Sequence, residues 1–262
     1  MNLLALETAT DCCSVAIVVG DEVIEDHRLA PRQHAALILP MIDGVLAAAG
    51  VTRHALDAIA FGRGPGAFTG LRIAAGVAQG LALGLDRPVV PVSTLAALAQ
   101  ASGAGRVLAA LDARLGEVYY GYYTRGADGL VTADVDDALA PPTVIALPAD
   151  AGWRGVGVGA GWAAYGEVLA TRLGGCIDAV DGDAQPRAGG LARLAAAAFL
   201  RGEAGSAEVA PATALRDRGP PRGRRRNARC TLTRPRSEPI LLWWLEGGRN
   251  PPMERTGRVL DV

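Results

Sequence analysis

A glycine-rich stretch between a buried strand and a helix constrains the fold of this chain more than any other feature. Residues 56–61 are an apolar run of strand length, and residues 71–85 have the apolar spacing of a helix. Between them, Gly64 and Gly66 permit backbone angles that are closed to other residues. Thr69 is predicted to cap the helix, so that the amide groups of its first turn point over the glycines. The stretch is therefore either a cradle for an anion or a tight turn that binds nothing.

The helix that follows carries two stripes of nonpolar residues. They consist of Ile73, Val77, Leu81 and Leu85, and of Gly76, Gly80 and Gly84. Because a glycine inside a helix costs about 1 kcal/mol relative to alanine, three on one face indicate that another helix comes very close. Arg72, Gln79 and Asp86 argue against a membrane span, and the apolar run is shorter than the ~20 residues that a span needs. The second side is covered either by the core or by a partner.

The chain opens with a predicted meander of three strands, over residues 2–7, 14–19 and 22–29. The turn after the first strand is polar, and Glu7 and Asp11 flank it. Several phosphotransferase folds hold a nucleotide phosphate at such a turn, but a polar hairpin turn without a ligand explains the residues equally well.

A helix predicted over residues 35–49 and ended by Gly50 also has two apolar stripes. They consist of Ile38, Ile42, Val45 and Ala49, and of Leu37, Met41 and Ala48. A surface helix needs only one such stripe, so burial or a partner is again implied. His34 lies at the helix start without a second histidine at i+4, and we expect it to make a polar contact rather than to bind a metal.

The second half of the chain echoes the first. A strand over residues 107–111 ends at Asp112, and a polar turn leads to a tyrosine-bearing strand over residues 117–123. The repeated strand–polar turn–strand order predicts a duplicated α/β fold. Glycines alternate over residues 155–161 before a helix, but no acid follows at the distance that a dinucleotide site requires.

Charge is distributed unevenly along the 262 residues, and every basic residue is arginine. Residues 1–215 carry 14 arginines and 22 acidic residues, a balance of −8, which argues against a stand-alone nucleic-acid binder. Residues 216–262 carry 12 arginines and 5 acidic residues, a balance of +7. A basic tail can bind RNA. However, its composition differs so much from the body that we expect a shifted reading frame or an unrelated, disordered extension.

The cysteines and the N-terminus indicate a reduced, cytoplasmic protein. None of the four cysteines forms a C-x-x-C pair, so no zinc site is predicted. The N-terminus has no basic segment, and Glu7 interrupts its apolar run, so it does not look like a signal peptide. Half of the residues are hydrophobic, which allows a large core without disulfides or metal.

Several of these segments resemble the TsaB family. They are residues 4–10, 31–34, 39–40, 62–72, 79–82 and 111–119. The resemblance covers about residues 1–215, and its Gly-Pro-Gly and Asp-Ala-Arg blocks are the most specific. It implies a duplicated actin-like, sugar-kinase-like (ASKHA) α/β fold. We predict an N-terminal domain over residues 1–103 with the dimerisation helices, a second domain over residues 104–217 whose last helix packs back on the first, and a tail over residues 218–262.

The resemblance implies a non-catalytic subunit in the N6-threonylcarbamoylation of adenosine next to the anticodon, in tRNAs that read codons beginning with A. TsaB pairs with its paralogue TsaD, which transfers the group with a metal held by an H-x-x-x-H pair, and the ATPase TsaE joins them. The corresponding residues 92–97 contain no histidine. We therefore expect no metal and no cofactor of its own, ATP or ADP only in the complex, a homodimer when alone, tRNA contact only through the complex, and no membrane.

Two sets of site residues follow from the resemblance and the local patterns, and neither is catalytic. The predicted partner interface lies on the helices over residues 35–49 and 70–85. It consists of Arg32, His34, Leu37, Ile38, Met41, Arg72, Gly76, Gln79, Gly80 and Leu83. The predicted nucleotide or anion loop consists of Thr8, Thr10, Gly64, Gly66, Thr69, Gly70 and Asp112. The alternatives are a stand-alone small-molecule kinase or ATPase of the same fold, an inactive peptidase homologue, and an RNA binder that acts through the tail.

Overall fold

A computed structural model describes residues 1–148 and 152–206, in which eleven strands form two mixed sheets. The elements of the first half are β1 (Asn2–Glu7), β2 (Cys12–Val19), β3 (Glu22–Leu29), α1 (His34–Ala49), β4 (Ala58–Gly62), α2 (Phe68–Leu85), β5 (Val89–Val92) and α3 (Thr94–Ser102). Those of the second half are β6 (Arg106–Arg114), β7 (Glu117–Arg125), β8 (Val131–Ala133), β9 (Ala138–Ala140), β10 (Gly155–Val158), α4 (Ala160–Leu173), β11 (Ile177–Asp181) and α5 (Ala188–Leu200). The predicted tail over residues 218–262 lies outside the described residues.

The two sheets repeat one topology. The first has the order β3-β2-β1-β4-β5, and the second has the order β8-β7-β6-β10-β11, with β9 beside β7. In each sheet the opening hairpin is antiparallel, and the last two strands run parallel to the first strand. The predicted duplicated α/β fold is therefore confirmed. The predicted domain boundary at residues 103–104 falls between α3 and β6.

Helices cover both faces of the first sheet because its central strands are apolar on both sides. Leu4 and Leu6 of β1 pack under α1 and α2, whereas Leu3 and Ala5 face α5. Helix α3 lies between the sheets: its Ala97 packs on the first, and its Leu95 and Leu98 pack on the second. Helix α4 covers the face of the second sheet that points away from α3. The last helix, α5, packs on β1 and β2 and joins the second half to the first.

Local signals predicted some helix ends correctly and others wrongly. Helix α1 ends at Gly50, whose φ of +64° is left-handed. Ser93 caps α3 by accepting a hydrogen bond from the Ala96 amide at 3.2 Å. The prediction that Thr69 caps α2 is wrong. Ala67 is the N-cap because its amide donates to the Ala9 carbonyl at 2.8 Å, which holds Ala67 extended just before the helix.

Among the described residues, α2 is the one helix long and apolar enough to cross a membrane, judged by length and composition alone. A core helix of a soluble protein meets the same criterion.

Candidate functional site

The outer side of α2 is open, although its inner side is closely packed. The residues that face the sheet are Gly70, Leu71, Ala74, Ala75, Ala78 and Ala82. The exposed residues include Phe68, Arg72, Gly76, Gly80, Leu83 and Gly84. A Cβ atom placed on Gly76, Gly80 or Gly84 would meet nothing within 4 Å outside the helix backbone. Within the part of the chain that the structure describes, the glycine stripe is therefore a free surface. We call the exposed side of α1 and α2 the outer face.

The apolar stripe predicted for α2 lies at the margin of the core rather than at its centre. Ile73, Val77, Leu81 and Leu85 are partly buried, whereas Ala74, Ala78 and Ala82 are almost completely buried against the sheet. Small side chains at the contact let a helix lie close to the strands beneath it. The larger residues of the predicted stripe then fill the space along one flank of the alanines. The sequence correctly predicted an apolar helix, but not which residues face the sheet.

Three of the predicted partner residues belong to the core of this chain instead. Ile38 and Met41 are 1% exposed and pack beneath α1, so they cannot contact a partner without leaving that core. His34 is 8% exposed, and its Nε2 lies 3.2 Å from the Cys12 carbonyl oxygen, so it ties the start of α1 to β2. Burial in the isolated chain argues against an interface role for these three, which stays a prediction. Helical periodicity places them on the side of α1 that faces the sheet.

The other predicted interface residues lie on or beside the outer face. Arg32, Arg72, Gly76, Gly80 and Leu83 are exposed, and Leu37 and Gln79 are partly buried. The prediction missed two large exposed apolar residues, Leu39 on α1 and Phe68 on α2, which are 51% and 60% exposed. Their positions relative to the buried stripes were the available signal, because each lies about a quarter of a turn from the centre of the buried residues on its helix.

Arg72 and Phe68 form a preorganised pair at the N-terminal end of the outer face. The guanidinium carbon of Arg72 lies 3.6 Å from the centre of the Phe68 ring, one helical turn away. This cation–π contact holds the arginine against the helix surface. The pair therefore presents a positive charge and an aromatic ring in a fixed arrangement beside the open glycines.

Most of the predicted anion-loop residues gather where three parallel strands end. The carboxyl ends of β1, β4 and β5 meet at one edge of the first sheet, which is the usual ligand position in open α/β sheets. Here, however, the loops pack on each other. The Thr8 hydroxyl donates to the Gly70 carbonyl at 2.7 Å. A Cβ on Gly66 would lie 2.5 Å from the Ala9 carbonyl oxygen, and one on Gly70 would overlap the Thr8 carbonyl. Close packing thus accounts for both glycines, and anion binding at this edge stays a prediction.

The remaining loop residues are separated from this contact. Thr10 accepts a hydrogen bond from the Cys12 amide at 3.3 Å within its own turn. Thr69 lies exposed in the first turn of α2. Asp112 belongs to β6 in the second half, where it accepts hydrogen bonds from the Arg114 amide at 2.8 Å and the Tyr165 hydroxyl at 3.3 Å. It occupies a place in the second sheet like that of Glu7 in the first.

Glu7 is a buried carboxyl group at the end of β1. It is 1% exposed and accepts hydrogen bonds from the Ala9 amide at 2.7 Å and from the Thr94 hydroxyl at 3.1 Å. Burial raises its pKa to about 7 despite these hydrogen bonds, which lower it. A Cβ on Gly62 would overlap the carboxyl group. Glu7 is thus an internal anchor that connects β1, β4 and the start of α3.

A second polar cluster, absent from the sequence predictions, lies beside Glu7. Its members are Ser93, Tyr123 and Asp137, and we call it the Asp137 cluster. The residues are 14 to 44 positions apart along the chain, so no local motif marks them. In residues 1–148 and 152–206, no three histidine, cysteine, aspartate or glutamate side chains converge to hold a metal ion.

Comparison with known proteins gives a consistent result. Residues 19–154, which include all of α1 and α2, match the family model described as TsaD: tRNA N6-adenosine threonylcarbamoyltransferase. The chain is 43% identical over 172 residues to the tRNA threonylcarbamoyladenosine biosynthesis protein TsaB of Escherichia coli K12, covering 63% of this chain and 74% of that protein. It is 42% identical over 191 residues to the TsaB protein of Haemophilus influenzae, covering 67% of this chain and 78% of that protein.

A solved structure supports the same assignment. YeaZ from Pseudomonas aeruginosa superposes with a TM-score of 0.74 at 45% sequence identity, covering 80% of this chain and 97% of that chain. The matched family model spans more than half of this chain, and several TsaB proteins align along most of their own length. The chain therefore belongs to the TsaB family.

Proposed function

We propose that this chain is a non-catalytic subunit in the biosynthesis of threonylcarbamoyladenosine in tRNA, and that it acts by binding a TsaD-type paralogue through its outer face. The observation that carries the proposal is the glycine stripe of α2, which is exposed and has no neighbour within 4 Å among residues 1–148 and 152–206. Relatives at 42–43% identity are named for this biosynthesis. The wider assembly would include TsaE, use ATP or ADP in the complex, and contact tRNA through the complex in the cytoplasm.

The chemistry of the outer face suits a helical partner. Without side chains at Gly76 and Gly80, a second helix can approach near the lower end of the usual 8–10 Å between packed helix axes. The gap left by Gly76 and Gly80, which we call the notch, is accompanied by exposed apolar area from Leu83 and Phe68. A TsaD-type partner fits because the matching family model is that of the transferase and spans both α1 and α2. The partner would then offer a related helix pair.

The non-catalytic role is supported by the residues at the corresponding catalytic position. Residues 92–97, where the paralogue has its histidine pair, contain none. In this chain the Ser93 hydroxyl is bonded to Asp137 and the Thr94 hydroxyl to Glu7, so both are engaged in internal contacts. ATP turnover by the purified chain alone is expected to stay at background. Turnover above background would favour the kinase or ATPase alternative.

The experiment that tests the proposal replaces Gly80 with leucine. Gly80→Leu fills the notch, and we expect its affinity for purified TsaD to fall by about tenfold or more, which corresponds to roughly 1.4 kcal/mol. Gly166→Leu is the matched control, because Gly166 also lies in a helix and a Cβ there meets nothing within 4 Å. Unchanged binding of Gly80→Leu would contradict the proposed contact. In cells depleted of their own TsaB, the same variant should restore less modified nucleoside than the unaltered chain.

A further inference from the structure

Asp137 joins the two halves of the molecule at the start of α3. It lies between β8 and β9, and its Oδ2 accepts a hydrogen bond from the Ser93 hydroxyl at 2.6 Å. Its Oδ1 accepts a hydrogen bond from the Tyr123 hydroxyl. Ser93 follows β5 of the first sheet, whereas Tyr123 lies on β7 of the second. One carboxyl group thus connects side chains from both sheets.

The environment of this carboxyl group makes its hydrogen bonds costly to lose. Tyr123 is 2% exposed and Ser93 is 9% exposed, so a hydroxyl that loses its partner cannot turn to water. Burial raises the pKa of Asp137, while the two hydrogen bonds and the positive charge of Arg63 act to lower it. A Cβ at Gly121 would lie 2.6 Å from Oδ1, so a glycine provides the space for the carboxyl group. The Ser93 and Tyr123 hydroxyl oxygens lie 3.3 Å apart, so without Asp137 the contact between these two hydroxyls would be what remains of the cluster.

The Asp137 cluster is connected by hydrogen bonds to the loop that begins α2. Ser93 caps α3, and the next residue, Thr94, donates its amide hydrogen to the Gly64 carbonyl at 2.9 Å. The Arg63 amide donates to the Val92 carbonyl at 2.8 Å. Residues 63–67 lead directly into α2, whose first two turns carry Phe68 and Arg72 of the outer face. The loop over residues 63–67 is therefore bonded to Val92 and Thr94, the two neighbours of Ser93, and Asp137 bonds the Ser93 side chain.

We propose that Asp137 fixes the second half of the molecule to the first, a role that we call the clasp. By accepting a hydrogen bond from Ser93, it orders the start of α3. Through the Thr94 amide, it also orders the loop over residues 63–67 that leads into the outer face. The proposal goes beyond the proposed function, because it concerns how the second half controls the order of this loop. It predicts a specific pattern of local opening, which is measurable without a partner.

Hydrogen–deuterium exchange of the full chain tests the clasp. In Asp137→Ala, the amides of Thr94 and Ala96 and the hydrogen-bonded amides of Arg63 and Ala67 should exchange about tenfold faster or more, while the amides of α1 keep their rates. Asp136→Ala is the matched control, because Asp136 is the exposed neighbour with the same charge. The control should leave both regions unchanged.

A milder variant keeps the test decisive if Asp137→Ala folds poorly. Tyr123→Phe removes only the hydroxyl and keeps the ring in the core, so exchange at Thr94 and Ala96 should rise by a few fold. Equal acceleration in α1 and at Arg63 and Ala67 would indicate general loosening and would overturn the proposal. Wild-type exchange at Thr94 and Ala96 in Tyr123→Phe would overturn it as well.

Discussion

The glycines on the inner side of α2 are closely packed, whereas those on its outer side face open space. On the inner side, a Cβ at Gly70 would overlap the Thr8 carbonyl, so only glycine fits between the helix and the turn after β1. On the outer side, Gly76 and Gly80 have empty space where a side chain would lie. Each still lowers helix stability by about 1 kcal/mol relative to alanine. The inner glycine is explained by a contact within the chain, whereas none of the described residues fills the space beside the outer glycines.

The second half of the molecule sharpens this contrast. Gly157 accommodates the ring of Trp162, and Gly161 approaches the backbone of Ala110. Like Gly70, both are therefore closely packed and leave no room for a Cβ atom. Within the described residues, α4 shows no row of open glycines like that of α2. The duplicated topology thus accounts for the close-packed glycines in both halves. Among the described residues, a row of open glycines on a helix is found on α2 and not on α4.

Replacing Gly70 with alanine should give the largest effect. The new methyl group overlaps a backbone carbonyl that cannot easily move, so we expect a loss of about 4 kcal/mol or more in the free energy of unfolding, measured by urea denaturation. Gly76→Ala on the outer side is the paired variant and should gain up to about 1 kcal/mol, because it only removes the helix penalty of glycine. Equal effects at the two positions would break the distinction between inner and outer glycines.

The same comparison can be made on α1 with large side chains. Met41→Ala should cost about 3 kcal/mol in unfolding free energy, since Met41 is buried in the core. Leu39→Ala should change stability by less than about 0.5 kcal/mol, because half of Leu39 is exposed. In the binding assay with TsaD, Leu39→Ala should nevertheless weaken the complex. A stable Met41→Ala that binds TsaD poorly would restore the original assignment of Met41 to the interface.

The buried Glu7 predicts a dependence of stability on pH. Its folded-state pKa is raised from 4.5 to about 7, so between these values the unfolded chain is ionised while the folded chain stays protonated. Stability should therefore fall as pH rises from about 4.5 to 7 and level off above, by a few kcal/mol at most. Glu7→Gln should lack this pH dependence. The free energy of unfolding of the variant, relative to that of the wild type, should therefore be higher at pH 8 than at pH 5.

A small effect is also expected for the exposed pair on the outer face. Arg72→Ala removes a cation–π contact with Phe68, and exposed contacts of this kind contribute roughly 0.5–1 kcal/mol. The free energy of unfolding should therefore fall by less than about 1 kcal/mol. Arg72→Lys keeps the charge but not the planar group and should have an intermediate effect. A loss in TsaD affinity larger than the loss in stability would assign Arg72 to the interface.

Much of the local structure was determined by the sequence alone. Apolar runs predicted the opening meander, helical spacing and Gly50 predicted α1, and the repeated strand–polar turn–strand order predicted the duplication. These signals are local, since they depend on side-chain periodicity and on residues that permit particular backbone angles. The specific motif blocks identify the family without reference to any tertiary contact.

The tertiary structure decided which side of each predicted element faces the core. Periodicity marked Ile73 and Val77 on α2, but the distance between helix and sheet selects Ala74 and Ala78 for the closest contact. Burial of Glu7 also requires the neighbouring strands to be in place. The Asp137 cluster brings together residues from β7 and two loops, and no local pattern encodes such a meeting. Sequence periodicity specifies elements and their amphipathic sides, whereas distances between elements arise only when the chain packs.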